Sequence, residues 1–109
     1  MQDYIDAITP PLRPLFDRID RLIRLLHPEA ETMLSYAMPT YRVGERRIYV
    51  AVWKRWLSLY GWEEGRDAGF VERHPQLSSG RGTIRLRPRD AEALADEELQ
   101  DLLRGALDA

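Results

Sequence analysis

An α+β fold, an antiparallel sheet with a long helix from each end of the chain packed on one of its faces, is predicted by three features of this sequence. Apolar residues recur at helical spacing from Leu12 to Leu26, alternate at strand spacing from Ile48 to Leu59, and return to helical spacing from Leu99 to Leu107. Two helices laid on the aliphatic side of one sheet bury all three patterns together.

The set Leu12, Leu15, Phe16, Ile19, Leu22, Ile23 and Leu26 forms one continuous apolar helical stripe. Thr9 is placed to cap this helix with Pro10 or Pro11 in its first turn, and Pro28 stands just past its end. On the outer face Arg13, Asp17 and Arg21, and then Asp20 and Arg24, sit four apart as opposite charges. A short helix over Asp3 to Ile8 precedes it.

Glu31 to Tyr36 reads as a first strand. Met38 and Pro39 then make a corner, because proline restricts the residue before it and cannot donate to a ladder. In the next stretch Ile48, Val50 and Val52 alternate with Tyr49, Ala51 and Trp53, and in "WLSLYGW" Leu57 and Leu59 alternate with Trp56, Ser58, Tyr60 and Trp62. A two-residue loop at Lys54 and Arg55 pairs Trp53 with Trp56, Ala51 with Ser58, Tyr49 with Tyr60 and Arg47 with Trp62, and sends the aliphatic residues to the opposite face.

Residues 63 to 82 are expected to hold a short helix over Asp67 to Arg73, stopped by Pro75, and a loop whose Gly80 and Gly82 turn the chain into a strand at Thr83. In that strand Ile84 and Leu86 point inward and Arg85 outward. Asp96 is expected to cap a final helix with the apolar stripe Leu99, Leu102, Leu103, Ala106 and Leu107, and Glu97 and Glu98 suit the positive end of its dipole.

Composition sets outer limits. The chain has 109 residues, enough for one domain with one modest core, and a formal charge of -2 with 44% apolar residues. Those values describe an ordinary soluble globular protein. No apolar run reaches membrane-spanning length, and the acidic start "MQDYIDAITPP" is unlike a signal peptide, so a cytoplasmic location is expected. The absence of cysteine excludes disulfides, thiolate metal sites and cysteine nucleophiles. Charge is segregated: residues 31 to 89 hold eleven Lys/Arg against six acids, and residues 90 to 109 hold one Arg against seven.

The feature pointing to function is the sheet face opposite the helices. The strand phases gather Tyr49, Trp53, Trp56, Tyr60 and Trp62 there with Arg47 and Arg85, and Tyr36 and Tyr41 flank the corner beside them. Large exposed apolar patches mark a partner or ligand surface. Four occupants stay open: residues 63 to 80 folded over the face, a second copy of the chain in a homodimer, a small planar or anionic ligand held by Arg47 or Arg85, or single-stranded nucleic acid. The acidic chain and its single lysine disfavour the last.

A catalytic inventory is thin, and a noncatalytic protein is expected. His27 and His74 lack the spacing of paired helical metal ligands, and His27 reads as a helix-end residue. Ser35, Ser58, Ser78 and Ser79 sit in no nucleophile elbow, and "SSGRGT" lacks the lysine and spacing of a P-loop. For a hard cation such as iron, the densest carboxylates are Asp3 and Asp6, and Asp96, Glu97, Glu98 and Asp101.

Together "LSYAMPTYR", "VAVWKRWLSLYGW" and "SGRGTIRL" resemble the three signature stretches of the YdhG-like family, small bacterial domains largely of unknown function. The matching residues are Ser35, Tyr36, Met38, Pro39 and Tyr41; then Lys54, Leu59 and Tyr60; then Gly82, Thr83, Ile84 and Arg85. The resemblance implies a frataxin-like α+β fold, and an iron chaperone serving iron–sulfur or haem assembly as one function proposed in that family. Ala37 stands where the family has glycine, and Trp56 where it has histidine.

Overall fold

The computed structural model describes residues 1–108. Helices α1 (Gln2–Asp6) and α2 (Arg13–Leu26) lead into a meander of four strands, β1 (Glu31–Ser35), β2 (Met38–Val43), β3 (Arg46–Val52) and β4 (Leu57–Tyr60). After helix α3 (Phe70–Arg73) and a short 3-10 turn at Pro75–Leu77 come β5 (Thr83–Leu86), α4 (Pro88–Glu92) and α5 (Asp96–Leu107). The five strands form one antiparallel sheet in chain order. Among the described residues no helix is long and apolar enough to cross a membrane.

Burial follows the predicted phases on one side of this sheet. Ile48, Val50, Leu57, Leu59, Ile84 and Leu86 join the stripes of α2 and α5 in one core cluster. Their apolar area stabilises the fold at about 25 cal/mol per Å² removed from water. The β3–β4 hairpin has the predicted register, with Tyr49 opposite Tyr60, Val50 opposite Leu59, Ala51 opposite Ser58 and Val52 opposite Leu57. The Trp53 N–H donates to the Trp56 carbonyl at 2.9 Å across the Lys54–Arg55 loop.

Helix ends depart from expectation. Helix α2 starts at Arg13 with Pro14 in its first turn, and no side chain caps it; Thr9 contributes its carbonyl to the N–H groups of Leu12 and Arg13 instead. Asp96 is the first residue of α5 and does not cap it. Its carboxylate is claimed by Arg18, at 2.8 Å, with Arg21 at 3.6 Å. Arg18 also donates to the carbonyls of Ala91 and Leu94 and so ties α2 to the α4–α5 connection. Outside the helices, His27 joins Glu29 and Asp108 at 2.9 and 2.6 Å.

Residues 63–77 pack on the helical side of the sheet, contrary to the idea that residues 63–80 cover its other face; only Ser79 reaches the edge of that face. Phe70 and Leu77 belong to the core cluster. Arg66 donates to the carbonyls of Gly105 and Asp108, while Arg73 and His74 both reach Glu98 on α5. Gly105 makes this contact geometrically feasible, since a Cβ there would fall 1.7 Å from the Arg66 carbonyl oxygen.

Candidate functional site

Two predicted site residues belong to the core. Tyr41 is fully buried on the α2 side and donates its hydroxyl hydrogen to Asp20 Oδ1 at 2.6 Å. Burial, reinforced by Asp20, raises the Tyr41 pKa and keeps the phenol protonated. Its side chain points inward because Met38–Val43 is a strand in which Tyr41 lies opposite Ile48. Trp62, only 6% exposed, donates its indole N–H to the Leu102 carbonyl at 2.8 Å. The strand ends at Tyr60, and Gly61 at φ +137° breaks the alternation that had carried Trp62 to the open face.

The remaining seven face residues stay on the side the helices leave bare. In the β3–β4 register two aromatic rows, Trp53 with Trp56 and Tyr49 with Tyr60, flank the small pair Ala51 and Ser58. Those two are 4% and 3% exposed, because their larger neighbours shield them. The result is a trough running across the strands, with small residues for a floor and rings for walls. Trp53 itself is 52% exposed.

One end of the trough is made by "YAMP". Strands β1 and β2 stay paired to Ser35 and Met38, but β2 and β3 pair only from Val43 opposite Arg46 to Thr40 opposite Tyr49. Pro39, having no N–H, stands at the next position, and there the tip of the first hairpin peels away from β3. A cleft of about 460 Å³ opens between Tyr36, Met38, Ala51, Trp53 and Tyr60, with Tyr4 at its border. Met38 and Pro39 are therefore strand residues, and the corner is the turn at Tyr36 and Ala37.

That turn is strained. Tyr36 and Ala37 have φ of 53° and 59°, the left-handed region that hairpins of this length fill with Asn-Gly. Each non-glycine residue there costs about 1–2 kcal/mol. Tyr36 is 84% exposed, and its ring lies 6.0 Å from that of Tyr49. Strain that exposes an aromatic ring over a cleft is the kind that clusters at ligand clamps.

Tyr4 escaped the sequence reading. Its hydroxyl oxygen accepts the Val52 N–H at 3.0 Å, a backbone donor on the part of β3 beyond the end of its ladder with β2. Among the described residues the Tyr4 hydroxyl donates to nothing, so its hydrogen is available at the cleft border. No sequence signal marks this role, since it depends on where α1 comes to rest.

At the far end of the trough Arg85 lies opposite Ser58, and its guanidinium stacks on the Trp56 ring at 4.4 Å. Trp56, Ser58, Tyr60, Ser79, Thr83 and Arg85 line a concavity of about 240 Å³. Trp53 and Tyr60 border both this concavity and the cleft, which makes them one surface. Among the described residues, Arg85 and Arg47 form no ion pair, as is true of Arg55, Arg66, Arg81 and Arg89, whereas Arg13, Arg18, Arg24, Arg73 and Arg104 all do.

The carboxylates considered for a metal are dispersed. Asp3 and Asp6 lie on α1, where Asp6 accepts the Gln2 amide; Asp101 pairs with Arg104; Glu97 is exposed in the first turn of α5. Arg18 holds the Asp96 carboxyl below its usual range, and Arg73 with His74 does the same for Glu98. Among the described residues no group of three or more His, Asp or Glu is arranged to hold a metal ion.

Fold and site together define a small α+β domain with an uncovered aromatic sheet face. The chain belongs to the family described as Domain of unknown function (DUF5655), which matches residues 1–108. No curated protein and no solved structure matches it.

Proposed function

We propose that this domain is a noncatalytic binding module that holds a small planar, anionic ligand in the aromatic trough. The observation carrying this reading is the pairing of ring walls and a small-residue floor with Arg85, a cation free of any ion pair in the described chain. Planar ligands stack on exposed rings, and a guanidinium already stacked on an indole is weakly hydrated and ready to meet an oxyanion.

Kinship with the YdhG-like family is part of the proposal, and the positions of its motifs support it. Tyr36, Met38, Tyr60, Thr83 and Arg85, drawn from all three stretches, border the trough. Iron delivery through the acidic helix residues is the competing cargo, and a homodimer across the bare face is the competing occupant.

Native mass spectrometry of the purified protein, with and without anaerobic ferrous iron, separates these. The binding module appears as a monomer carrying an organic mass, which Trp53→Ala removes without unfolding the protein. Stoichiometric iron uptake lost on Asp96 and Glu98 substitution, or a dimer dissociated by Trp53→Ala, would replace the proposal.

A further inference from the structure

The concavity at the Arg85 end has a specific chemistry. Arg85 lies opposite Ser58 and Thr83 lies opposite Tyr60, so the β4–β5 register puts two hydroxyls and a guanidinium on neighbouring positions of one face. Ser79 joins them because its N–H donates to the Thr83 carbonyl at 3.1 Å, which holds the 78–80 loop along β5. Among the described residues the side chains of Ser58, Ser79, Thr83 and Arg85 hydrogen-bond to no protein group, and no acid lines this concavity. Four donor side chains without a protein partner around one hollow are complementary to an anion with several acceptor oxygens.

We infer that this hollow is a phosphate subsite and that the trough's ligand is a planar ring carrying a phosphomonoester. This rests on the binding-module reading above. A carboxylate has two oxygens in one plane, and a single arginine fork satisfies both. A phosphate offers three terminal oxygens in a pyramid, which can take the Arg85 fork and hydroxyls from other directions. The guanidinium carbon lies 4.4 Å from the centre of the Trp56 ring, a contact that restricts the Arg85 rotamers, and Arg85 stands opposite Ser58 in the register. Trp53 and Tyr60, which border both cavities, place the ring of such a ligand in the larger cleft and its phosphate at Arg85.

The test uses paired probes that share a ring and differ by one phosphate: adenosine and adenosine monophosphate, riboflavin and flavin mononucleotide, pyridoxine and pyridoxine phosphate. Affinities are measured by calorimetry on the full chain, with inorganic phosphate alone as a further probe. The inference predicts that in at least one pair the phosphorylated member binds tenfold or more tightly. It also predicts that Arg85→Gln lowers the affinity of the phosphorylated member tenfold or more and that of the bare ring by far less, so that the difference within the pair collapses, with Ser58→Ala giving a partial version of the same collapse. Equal affinity within every pair that binds would overturn the phosphate subsite and leave the binding module standing. Binding of no ring at all would remove both. A phosphate preference that survives Arg85→Gln would place the anion elsewhere and overturn the assignment.

Discussion

The two faces of this sheet use aromatic residues in opposite ways. On the helical face Tyr41 and Trp62 are buried, and each polar atom is matched to a partner, Asp20 for one and the Leu102 carbonyl for the other. On the open face Tyr36, Trp53, Trp56 and Tyr60 stand around a small-residue floor with an unpaired arginine beside them. The same residue types thus serve cohesion on one side and stand uncovered on the other, where recognition is the role we propose for them. What separates them is whether a helix covers the strand, something residue type alone does not determine.

The strongest way to break this comparison is truncation on each side. Trp62→Ala should cost about 3–5 kcal/mol of stability in denaturant unfolding, as expected for a buried ring with a satisfied N–H. Trp53→Ala should stay within about 1 kcal/mol of wild type, as expected for a half-exposed residue. Comparable losses at the two positions would mean that the open face is structural.

Gly105→Ala sharpens the same point through its sign. If residues 63–69 rest against α5 as described, a Cβ at 1.7 Å from the Arg66 oxygen forces the two apart and destabilises the protein by about 1–3 kcal/mol. Were that segment folded over the open face, alanine would stabilise the helix by about 1 kcal/mol through its better propensity. Thermal unfolding distinguishes the two outcomes.

Ala37→Gly should stabilise the fold by about 1 kcal/mol, because it relieves left-handed strain in the turn that projects Tyr36. An unchanged melting temperature would remove strain from the account of the cleft.

The smallest effect concerns pH and lies away from the trough. Burial disfavours charge on His27, but hydrogen bonds to Glu29 and Asp108 outweigh it, so the folded pKa is raised. A raised folded pKa means that the stabilisation is fully present below the unfolded value, near 6.5, and is lost as pH rises through the folded one. His27→Gln should flatten stability between weakly acidic and neutral pH. A mutant that keeps the wild-type slope would contradict the assignment.

How much of this was legible depended on what set each residue's direction. The β3–β4 register was readable because two aliphatic runs alternate in phase: a one-residue slip would put them on opposite faces, and the two-residue loop is the shortest that keeps them together. Trp62 was misplaced because the alternation was carried through Gly61, which at φ +137° passes so close to β3 that a Cβ would lie 2.4 Å from the Arg47 oxygen. Tyr41 lies inside and not on the open face because Pro39 is part of a strand and not a corner. Proline instead ended pairing with β3 while β1 continued to pair past it, and so left a strand on one side and a cleft on the other. Tyr4 was invisible, since no local pattern announces that a hydroxyl will meet the Val52 N–H.

The three indole N–H groups offer the most direct test of the claim that the open face is the binding surface. In a proton–nitrogen correlation spectrum titrated with the phosphorylated probes, the Trp53 and Trp56 indole signals should shift and saturate together, while the Trp62 signal, held on the Leu102 carbonyl inside the core, stays in place. Shifts of equal size at all three, or none at Trp53 and Trp56 while a probe binds, would contradict it.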